Sequence, residues 1–597
     1  MDRKSVIVLA VCFVLFALWA QLVPVMYPPK PVVRTNVIAG ASNSLPATAA
    51  ATAVAPAPTA AIGNWVPPVP GGPEETIILS NGVARFTFTS HGGGIKQVEL
   101  LNHLETVACG PGRESGSNRL ATLNGNTRLP VLALVGDDSL AGDNAYRVSR
   151  FIGTWPAGSN QTRSVSGVRA EKQLSNGLYV VKEFELATNY LLNARVRFEN
   201  RSAQARVLPA QNWITGAGIR LGADDAEDQV GLQWWTQRSF ASANSARFME
   251  GGFACMPGTP ISQVNLGQTN VHWVTAHNQF FVMALMPEVP LSGLAANKYD
   301  LPVPPTGGIK KYAIEGVATH SAVELPAGQS VTRAFTLYAG PREYRTLELL
   351  GAQMKNQLER VMDFGMFGFF SKLLLLSMNG LNSLGLSYGL SIIAITIIIK
   401  LLFWPLTQAS MRSMKRMQKL QPQMKSIQEK YKEDPAKMNK KMMEFMKENK
   451  VSPLGGCLPL LLQIPVFIGF FTMVRSAIEL RGASFLWACD LSRPDTVFVI
   501  PGIDFNVNPL PLLMGVTMFW QASLTPPSPG MDPAQQKIMK YFPLIFLFML
   551  YNYSAGLTLY WTVQNLLSIA QMKLTKAEPD AAPPSALAPA LAPKKKR

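Results

Sequence analysis

The sequence of 597 residues has few cysteines and none of the common local motifs of a catalytic site. Its five cysteines form neither a CxxC pair nor a zinc-binding pattern, which excludes a disulfide scaffold. A bridge between Cys109 and Cys255 is compatible with the sequence, but nothing in the pattern favours it. The segment 76–337 lacks GxSxG, HExxH, Walker A and GxGxxG motifs. We therefore expect no enzyme, and no metal, nucleotide or other cofactor.

Acidic residues are outnumbered by basic ones, with 38 Asp and Glu against 55 Lys and Arg, and a formal net charge of +17. Residues 406–450 alone contain twelve Lys or Arg and five Asp or Glu. Such basic loops stay on the cytoplasmic side of a membrane. We expect the basic C-terminus on the same side, where it would contact the ribosome or anionic lipids; its residues are Lys594, Lys595, Lys596 and Arg597.

The two ends of the chain have compositions that do not predict a packed domain. Residues 1–27 combine a basic start with an apolar run, which favours a transmembrane anchor with its N-terminus inside over a cleaved signal peptide. Residues 28–73 are rich in Pro, Ala and Thr and predict a flexible linker. Residues 577–597 predict a disordered, basic cytoplasmic tail.

A long segment with period-two hydrophobicity follows the linker. The run 76–89 predicts two strands around the turn Asn81-Gly82. The runs Leu178–Leu186 and Leu191–Glu199 predict a second strand pair. Because similar short strands separated by Gly or Pro turns continue for the rest of the segment, residues 74–341 predict an all-β sandwich domain outside the cell membrane.

The remainder of the chain is predominantly helical and apolar. Residues 342–386 predict a helical segment lying along the membrane, since the apolar run after Lys372 is too short to span it. Together with the anchor, five further runs predict six transmembrane helices, the last five forming a core over residues 387–576. These runs are Tyr388–Leu406, Gly456–Val474, Leu510–Leu524, Ile538–Tyr553 and Leu557–Met572. Six spans place both termini in the cytoplasm and the β domain outside.

One cation, Lys400, interrupts the apolar run of the second span. A charge in hydrocarbon costs at least about 2.5 to 3.5 kcal/mol at mid-bilayer, so such residues usually mark a functional path. Thr396 lies one helical turn earlier on the same face. The alternative is that the long Lys400 side chain reaches the lipid headgroups. Pro405 predicts that the helix kinks or ends nearby.

A polar stripe runs along the sixth span, where Tyr560, Gln564, Ser568 and Gln571 recur near helical spacing. The third span contributes Gln463. Polar faces on several helices must meet each other or water, because lipid cannot satisfy them. Together with Lys400 they predict a hydrated groove, and the alternative is hydrogen bonding between helices without a cavity.

The basic segment predicts a cytoplasmic helical hairpin over residues 408–450. Pro422 interrupts its first helix and Pro435 opens its second. Methionines at helical spacing form a seam, which is either the hairpin's own core, the interpretation we favour, or a surface that receives clients. The seam includes Met411, Met414, Met417, Met442 and Met446.

Short motifs from the second span to the sixth resemble those of the YidC family of membrane-protein insertases, in its Gram-negative form. The matching stretches are Pro405-Leu-Thr, Leu420-Gln-Pro422, Pro453-Leu-Gly-Gly-Cys-Leu-Pro459, Leu462-Gln-Ile-Pro465, Leu513-Met-Gly-Val-Thr-Met-Phe519, Asp532-Pro-Ala-Gln-Gln-Lys-Ile-Met539, Gly556-Leu-Thr-Leu-Tyr560 and Asn565. The resemblance implies a five-helix core in the bacterial inner membrane, with a hydrophilic groove open to the cytosol and to lipid. It also implies insertion of nascent membrane proteins, alone or with the Sec translocon.

The family pattern maps onto Lys400, Thr396, Tyr560 and Trp561. The family usually has an arginine where this chain has Lys400, and often a second tyrosine where it has Trp561. A lysine keeps the positive charge but loses the bidentate guanidinium fork. The functional alternative is a polytopic transporter of small solutes or ions with a periplasmic domain. Such a transporter should show internal repeats, and we find none.

Overall fold

The structure is a computed structural model that describes residues 70–575, except 108–118, 157–161, 175, 223–224, 251–257, 268, 303–310, 450–457, 504 and 525–532. The predicted anchor, nearly all of the predicted linker and the basic tail therefore lie outside the described residues. The same holds for Cys109 and Cys255.

The segment with period-two hydrophobicity folds into strands, as predicted. These are β1 (Thr76–Ser80), β2 (Ala84–Thr89), β3 (Gly94–Leu104), β4 (Leu120–Leu123), β5 (Leu134–Val135), β6 (Arg147–Pro156), β7 (Thr162–Gln173), β8 (Leu178–Leu186), β9 (Leu191–Asn200), β10 (Arg206–Leu208), β11 (Gln211–Ile219), β12 (Gly231–Trp235), β13 (Phe240–Asn244), β14 (Met249–Glu250), β15 (Thr259–Pro260), β16 (Gln263–Asn265), β17 (Trp273–His277), β18 (Phe281–Pro287), β19 (Gly293–Asp300), β20 (Tyr312–His320), β21 (Val323–Leu325) and β22 (Ser330–Pro341). A short helix, α1 (Asp138–Ala141), follows β5.

Two large antiparallel sheets organise this all-β domain. One has nine strands in the order β13-β12-β17-β18-β22-β9-β8-β7-β6, and the other has five in the order β16-β19-β20-β11-β5. Strands β1 to β4 form a further sheet. Both predicted hairpins are present, since β1 pairs with β2 and β8 pairs with β9. Buried aromatic residues such as Phe86, Phe184 and Trp213 belong to one core that these sheets share.

The apolar runs after the β domain form helices. They are α2 (Tyr344–Met354), α3 (Gly368–Ser383), α4 (Tyr388–Leu402), α5 (Trp404–Lys430), α6 (Pro435–Glu448), α7 (Leu458–Ser476), α8 (Pro509–Leu524), α9 (Pro533–Leu550) and α10 (Ala555–Leu574). Among the described residues no helix is by itself long and apolar enough to cross a membrane. The segments Tyr388–Leu402 and Trp404–Met417 meet the length and composition requirements jointly, with a bend of 58° between them.

The predicted helix break is present at Pro405 and absent at Pro422. The break between α4 and α5 falls two residues before Pro405, as predicted. The prediction that Pro422 interrupts the next helix is wrong, because α5 continues through it. A proline inside a helix removes one backbone hydrogen bond. Packing of the neighbouring Leu420 and Met424 against the second helix of the hairpin holds α5 in place here.

Arginine side chains hold the β domain against the helices. Arg475, near the end of α7, donates to both carboxylate oxygens of Asp228 at 2.6 Å. Arg493, in the loop after α7, pairs with Asp225 at 3.3 Å, and both side chains are buried. Arg342, which follows β22, is also buried and donates to backbone carbonyls of both regions. Because a buried charge is costly unless it is paired or hydrogen-bonded, these contacts favour this position of the domain.

A buried carboxyl group lies in the middle of β20. Glu315 accepts a hydrogen bond from the hydroxyl of Tyr299 at 3.2 Å, and the guanidinium of Arg128 lies 4.2 Å from the centre of the Tyr299 ring. Burial raises the pKa of Glu315 to about 7, although the Tyr299 hydrogen bond and the Arg128 charge oppose the shift.

We predict that Glu315→Gln makes the stability of the β domain less dependent on pH. The ordinary pKa of the carboxyl is 4.5 and the folded pKa is about 7, so its contribution is complete below pH 4.5 and is lost as the pH rises to 7. The loss amounts to about 3 kcal/mol. Thermal unfolding of the full chain, followed by tryptophan fluorescence near pH 5 and near pH 8, measures it. An equal pH dependence in wild type and variant would contradict the prediction.

Candidate functional site

The ammonium of Lys400 lies inside the helical bundle, in the last turn of α4. Its Nζ atom donates to Ser568 Oγ of α10 at 2.8 Å, and the residue is only 6% exposed. Among the described residues, no carboxylate lies within ion-pairing distance of it. The side chain therefore points towards α10 and not outwards along the helix, which differs from the alternative of reaching the headgroups.

Three further polar side chains form a hydrogen-bonded group beside Lys400. Gln463 of α7 donates to the Tyr560 hydroxyl at 2.6 Å, and Gln564 donates to Gln463 Oε1 at 3.2 Å. The Ser568 hydroxyl then donates to the backbone carbonyl of Gln564 at 2.8 Å, which links this group to the lysine. Tyr560 is buried, whereas Gln463 and Gln564 are half-buried. Residues of α4, α7 and α10 thus form one connected polar cluster.

Two residues of the predicted groove lie outside the hydrogen bonds of this cluster. The hydroxyl of Thr396 donates to the Ile392 carbonyl of its own helix at 2.7 Å, and the residue is buried. Trp561 packs against aromatic rings, with its ring centre 4.5 Å from that of Phe467 and 4.7 Å from that of Phe546. Thr396 shares a helix face with Lys400, but Trp561 belongs to an apolar part of the bundle.

The cluster is closed around the amine in this structure, where the sequence predicts a hydrated groove. The two half-buried glutamines are its most exposed members, and the Tyr560 ring stacks on Phe470 with centres 4.3 Å apart. The amides of Gln463 and Gln564 are thus more accessible than the ammonium of Lys400.

Two further polar residues of α10 contact other helices, and one of them, Gln571, belongs to the predicted polar stripe. Asn565 donates to Thr517 of α8 at 3.1 Å, and Gln571 donates to the Thr407 hydroxyl at 2.7 Å. Both threonines are buried. Thr407 and Thr517 lie in two of the stretches that carry the family resemblance, which is the sequence signal that could have singled them out. The contact of Gln571 joins α10 to the start of α5.

The methionines of the helical hairpin differ in their burial. Met417 and Met446 are buried in a core between α5 and α6, and Met442 packs against that core. Met411 is half-buried, and the side chain of Met414 lies outside the described residues. The seam is thus largely the hairpin's own core, and contact with clients stays a prediction for its remaining members. The basic residues 594–597 lie outside the described residues.

Comparison with known protein families gives two matches that follow one another along the chain. A family model described as YidC periplasmic domain matches residues 76–376. A second, described as 60Kd inner membrane protein, matches residues 380–581. The boundary between them falls within α3, so the β domain and the helices from α4 onward each have their own match.

Curated relatives match nearly the whole chain. A protein of Geotalea daltonii named membrane protein insertase YidC is 31% identical over 591 residues, which cover 96% of this chain and 98% of the relative. A protein of the same name from Pelobacter propionicus is 32% identical over 508 residues, covering 83% and 86%. A solved structure described as an active YidC insertase has a TM-score of 0.34 at 18% identity, covering 84% of this chain and 93% of its own.

A lysine of α5 holds the end of α10. Lys415 Nζ donates to the Met572 carbonyl at 3.2 Å and to the Thr575 carbonyl. The last carbonyls of a helix have no partner within the helix and carry partial negative charge, so a lysine there is stabilising. This contact attaches the hairpin to the helix that carries the polar stripe.

We predict that Lys415→Met loosens the start of the hairpin from α10. The lost contact is worth about 1 kcal/mol, which corresponds to roughly fivefold faster amide hydrogen exchange at the end of α10. Exchange measured by mass spectrometry on the full chain checks it. The matched control is Lys425→Met, because Lys425 is exposed on the same helix and has no polar partner in the described part of the chain. Equal exchange in the two variants would contradict the prediction.

Proposed function

The chain belongs to the YidC family of membrane-protein insertases, and we propose that it inserts nascent membrane proteins through the polar cluster around Lys400. The observation that supports this most strongly is the buried ammonium, which has Ser568 as its one hydrogen-bond partner among the described residues. An ammonium has three N–H donors, so two remain for a client. Maintaining an unpaired charge inside the bundle costs stability, which favours a functional role.

The proposed mechanism is physical and forms no covalent bond. A client helix arrives with a short polar or acidic tail that must cross the bilayer. The tail first exchanges hydrogen bonds with the amides of Gln463 and Gln564 and then meets the charge of Lys400. Each polar group of the tail thus loses water in exchange for a polar partner, which lowers the desolvation cost relative to bare lipid. The apolar client segment leaves beside α7 and α10, and its burial in lipid drives release.

Lysine at this position suits a transient partner. Its compact ammonium attracts a carboxylate as a point charge, whereas an arginine would bind it in a bidentate fork. Release of the tail on the outer side requires that the contact be weak enough to break. We therefore propose that positive charge is required at position 400 and that a specific donor geometry is not.

We propose a membrane arrangement with six spans, in which the helical hairpin of α5 and α6 lies in the cytoplasm. Residues 406–450 are strongly basic, which favours the cytoplasmic side for them and for both termini. Cys489, in the loop between α7 and α8, is disulfide-bonded, a bond that the sequence did not predict. Disulfides persist in the oxidising periplasm, which supports placing this loop and the β domain outside the inner membrane.

The proposed partners follow from charge and from the family. Nascent membrane proteins are the clients, and the Sec translocon is a proposed partner for those with several spans. Anionic lipids and the ribosome are proposed partners of the basic hairpin and tail, since both present phosphate groups. The transporter alternative finds no support in the matches, which name insertases.

We predict that Lys400→Ala and Lys400→Glu reduce client insertion and that Lys400→Arg retains it. A hydrogen bond to a charged group is worth about 1.5 to 3 kcal/mol, so the alanine variant should insert roughly ten- to a hundredfold more slowly. The glutamate variant should be worse, because it repels an acidic tail. The measurement is the rate at which full-length protein in proteoliposomes inserts a single-span client with an acidic tail.

The matched control is Lys372→Ala, since Lys372 lies on α3, pairs with Glu348 at 3.1 Å and has a side chain that is 45% exposed. It should insert the client at the wild-type rate. Equal rates in all three Lys400 variants would remove this residue from the mechanism. A solute current through the same vesicles, without client insertion, would restore the transporter alternative.

A further inference from the structure

An exposed apolar hairpin occupies the loop between α7 and α8. Its strands are β23 (Phe498–Ile500) and β24 (Phe505–Val507), paired antiparallel, and Ile503 between them is 71% exposed. All three residues of β23 are exposed. A strand with one face in water alternates apolar and polar residues, whereas a continuous apolar run is typical of a strand covered on both faces. In the part of the chain that the structure describes, the three residues of β23 and Ile503 stay 37% to 71% exposed.

A second apolar protrusion lies earlier in the same loop. Residues Phe485–Ala488 form a tight turn whose ends exchange backbone hydrogen bonds of 2.7 and 2.9 Å. Leu486 is 73% exposed and has a φ of 52°, which is unusual for a residue other than glycine, and Trp487 is also exposed. The backbone is thus held in an uncommon conformation that presents a leucine outwards, which indicates a function for that side chain.

Both protrusions are fixed at the same end of the helical bundle. Tyr551, just after α9, donates its hydroxyl to the Asn506 carbonyl at 2.7 Å and stacks on Phe505 with ring centres 5.3 Å apart. The ring of Phe485 lies against Gly389 at the start of α4. Lys400 lies eleven residues further along α4, roughly 16 Å away at 1.5 Å per residue. The protrusions are therefore separate from the polar cluster.

The apolar surface of the protrusions continues onto the helices. Exposed side chains lie in the first turns of α8, at Leu512 and Leu513, and in the last turn of α9, at Phe548 and Met549. These helices are membrane spans in the proposed arrangement, so the surface joins the lipid-facing side of the bundle. This surface presents no basic side chain, because Arg493 is the only Lys or Arg in residues 482–524 and it is buried.

We propose that the strands β23 and β24 and the turn Phe485–Ala488 insert into the outer leaflet of the bilayer, at the boundary of headgroups and acyl chains. The proposal rests on the proposed membrane arrangement. Trp487 suits that depth, since its ring is exposed while its Nε1 atom donates to Asp495 at 2.9 Å. Without an exposed cation, the recognition is burial of apolar surface and does not depend on anionic headgroups.

Photo-crosslinking of the full-length chain in proteoliposomes tests this. The residue p-benzoylphenylalanine is placed at position 503 in one variant and at 486 in another. The matched control is position 152, where Ile152 is 83% exposed on β6. Strand β6 lies four strands from β22 in the nine-stranded sheet, about 19 Å across it, and β22 leads into the helices. Vesicles contain either phosphatidylethanolamine and phosphatidylcholine, or the same lipids with phosphatidylglycerol added.

We expect lipid adducts at positions 503 and 486, at equal levels in both kinds of vesicle, and only background at position 152. Adducts that require phosphatidylglycerol would overturn recognition by apolar burial. Adducts to a second copy of the chain or to an added client, in place of lipid, would overturn the membrane as the occupant. Equal lipid adducts at all three positions would also overturn it.

The same vesicles are assayed for client insertion, which separates this proposal from the proposed function. Vesicles that insert the client but yield no lipid adducts at 503 and 486 would refute the outer-leaflet contact alone. Vesicles that yield the adducts but insert no client would refute the proposed function and support the outer-leaflet contact.

Discussion

The hydrogen bond between the Lys400 ammonium and Ser568 is the contact on which the arrangement of the helical core depends. A charge placed among apolar helices is tolerated only if neighbouring helices present polar atoms to it. The sixth predicted span does so, and α7 adds Gln463. The break after Leu402 ends the helix close to this residue, so the charge lies near one end of the bundle and not at its centre.

The two ends of the bundle have opposite chemistry. One end carries the ammonium, the glutamine pair and the lysine that holds the end of α10. The other end carries exposed aromatic and branched side chains in the loop between α7 and α8. Between that end and the β domain lie arginine pairs, including the buried pair of Arg493 and Asp225. The β domain is therefore attached by paired charges, while the apolar protrusions beside it stay exposed.

Much of the fold was predictable because local patterns carry it. The hairpin at Asn81-Gly82 follows from turn chemistry and period-two hydrophobicity, and the helix bounds mostly follow from apolar runs within a few residues. Pro422 was misjudged because packing against α6 outweighs the cost of one missing backbone hydrogen bond. Of the candidate site, the sequence predicts which polar residue types share a helix face. It does not predict the partner of Lys400, the hydrogen bond of Thr396 to its own helix or the aromatic contacts of Trp561.

The sequence by itself determined that the chain has an all-β domain followed by apolar helices, with the cation Lys400 inside one apolar run, because period, composition and charge are local properties. It also indicated the family, through short motifs that follow one another along the chain. The tertiary structure decided which atoms meet, such as Lys400 with Ser568 and Gln463 with Tyr560. It also decided that three apolar residues of β23 stay exposed. The physical reason is that hydrogen-bond partners and burial depend on packing between segments far apart in the sequence, which no local pattern encodes: Gln463 and Tyr560 are 97 residues apart, and Lys400 and Ser568 are 168.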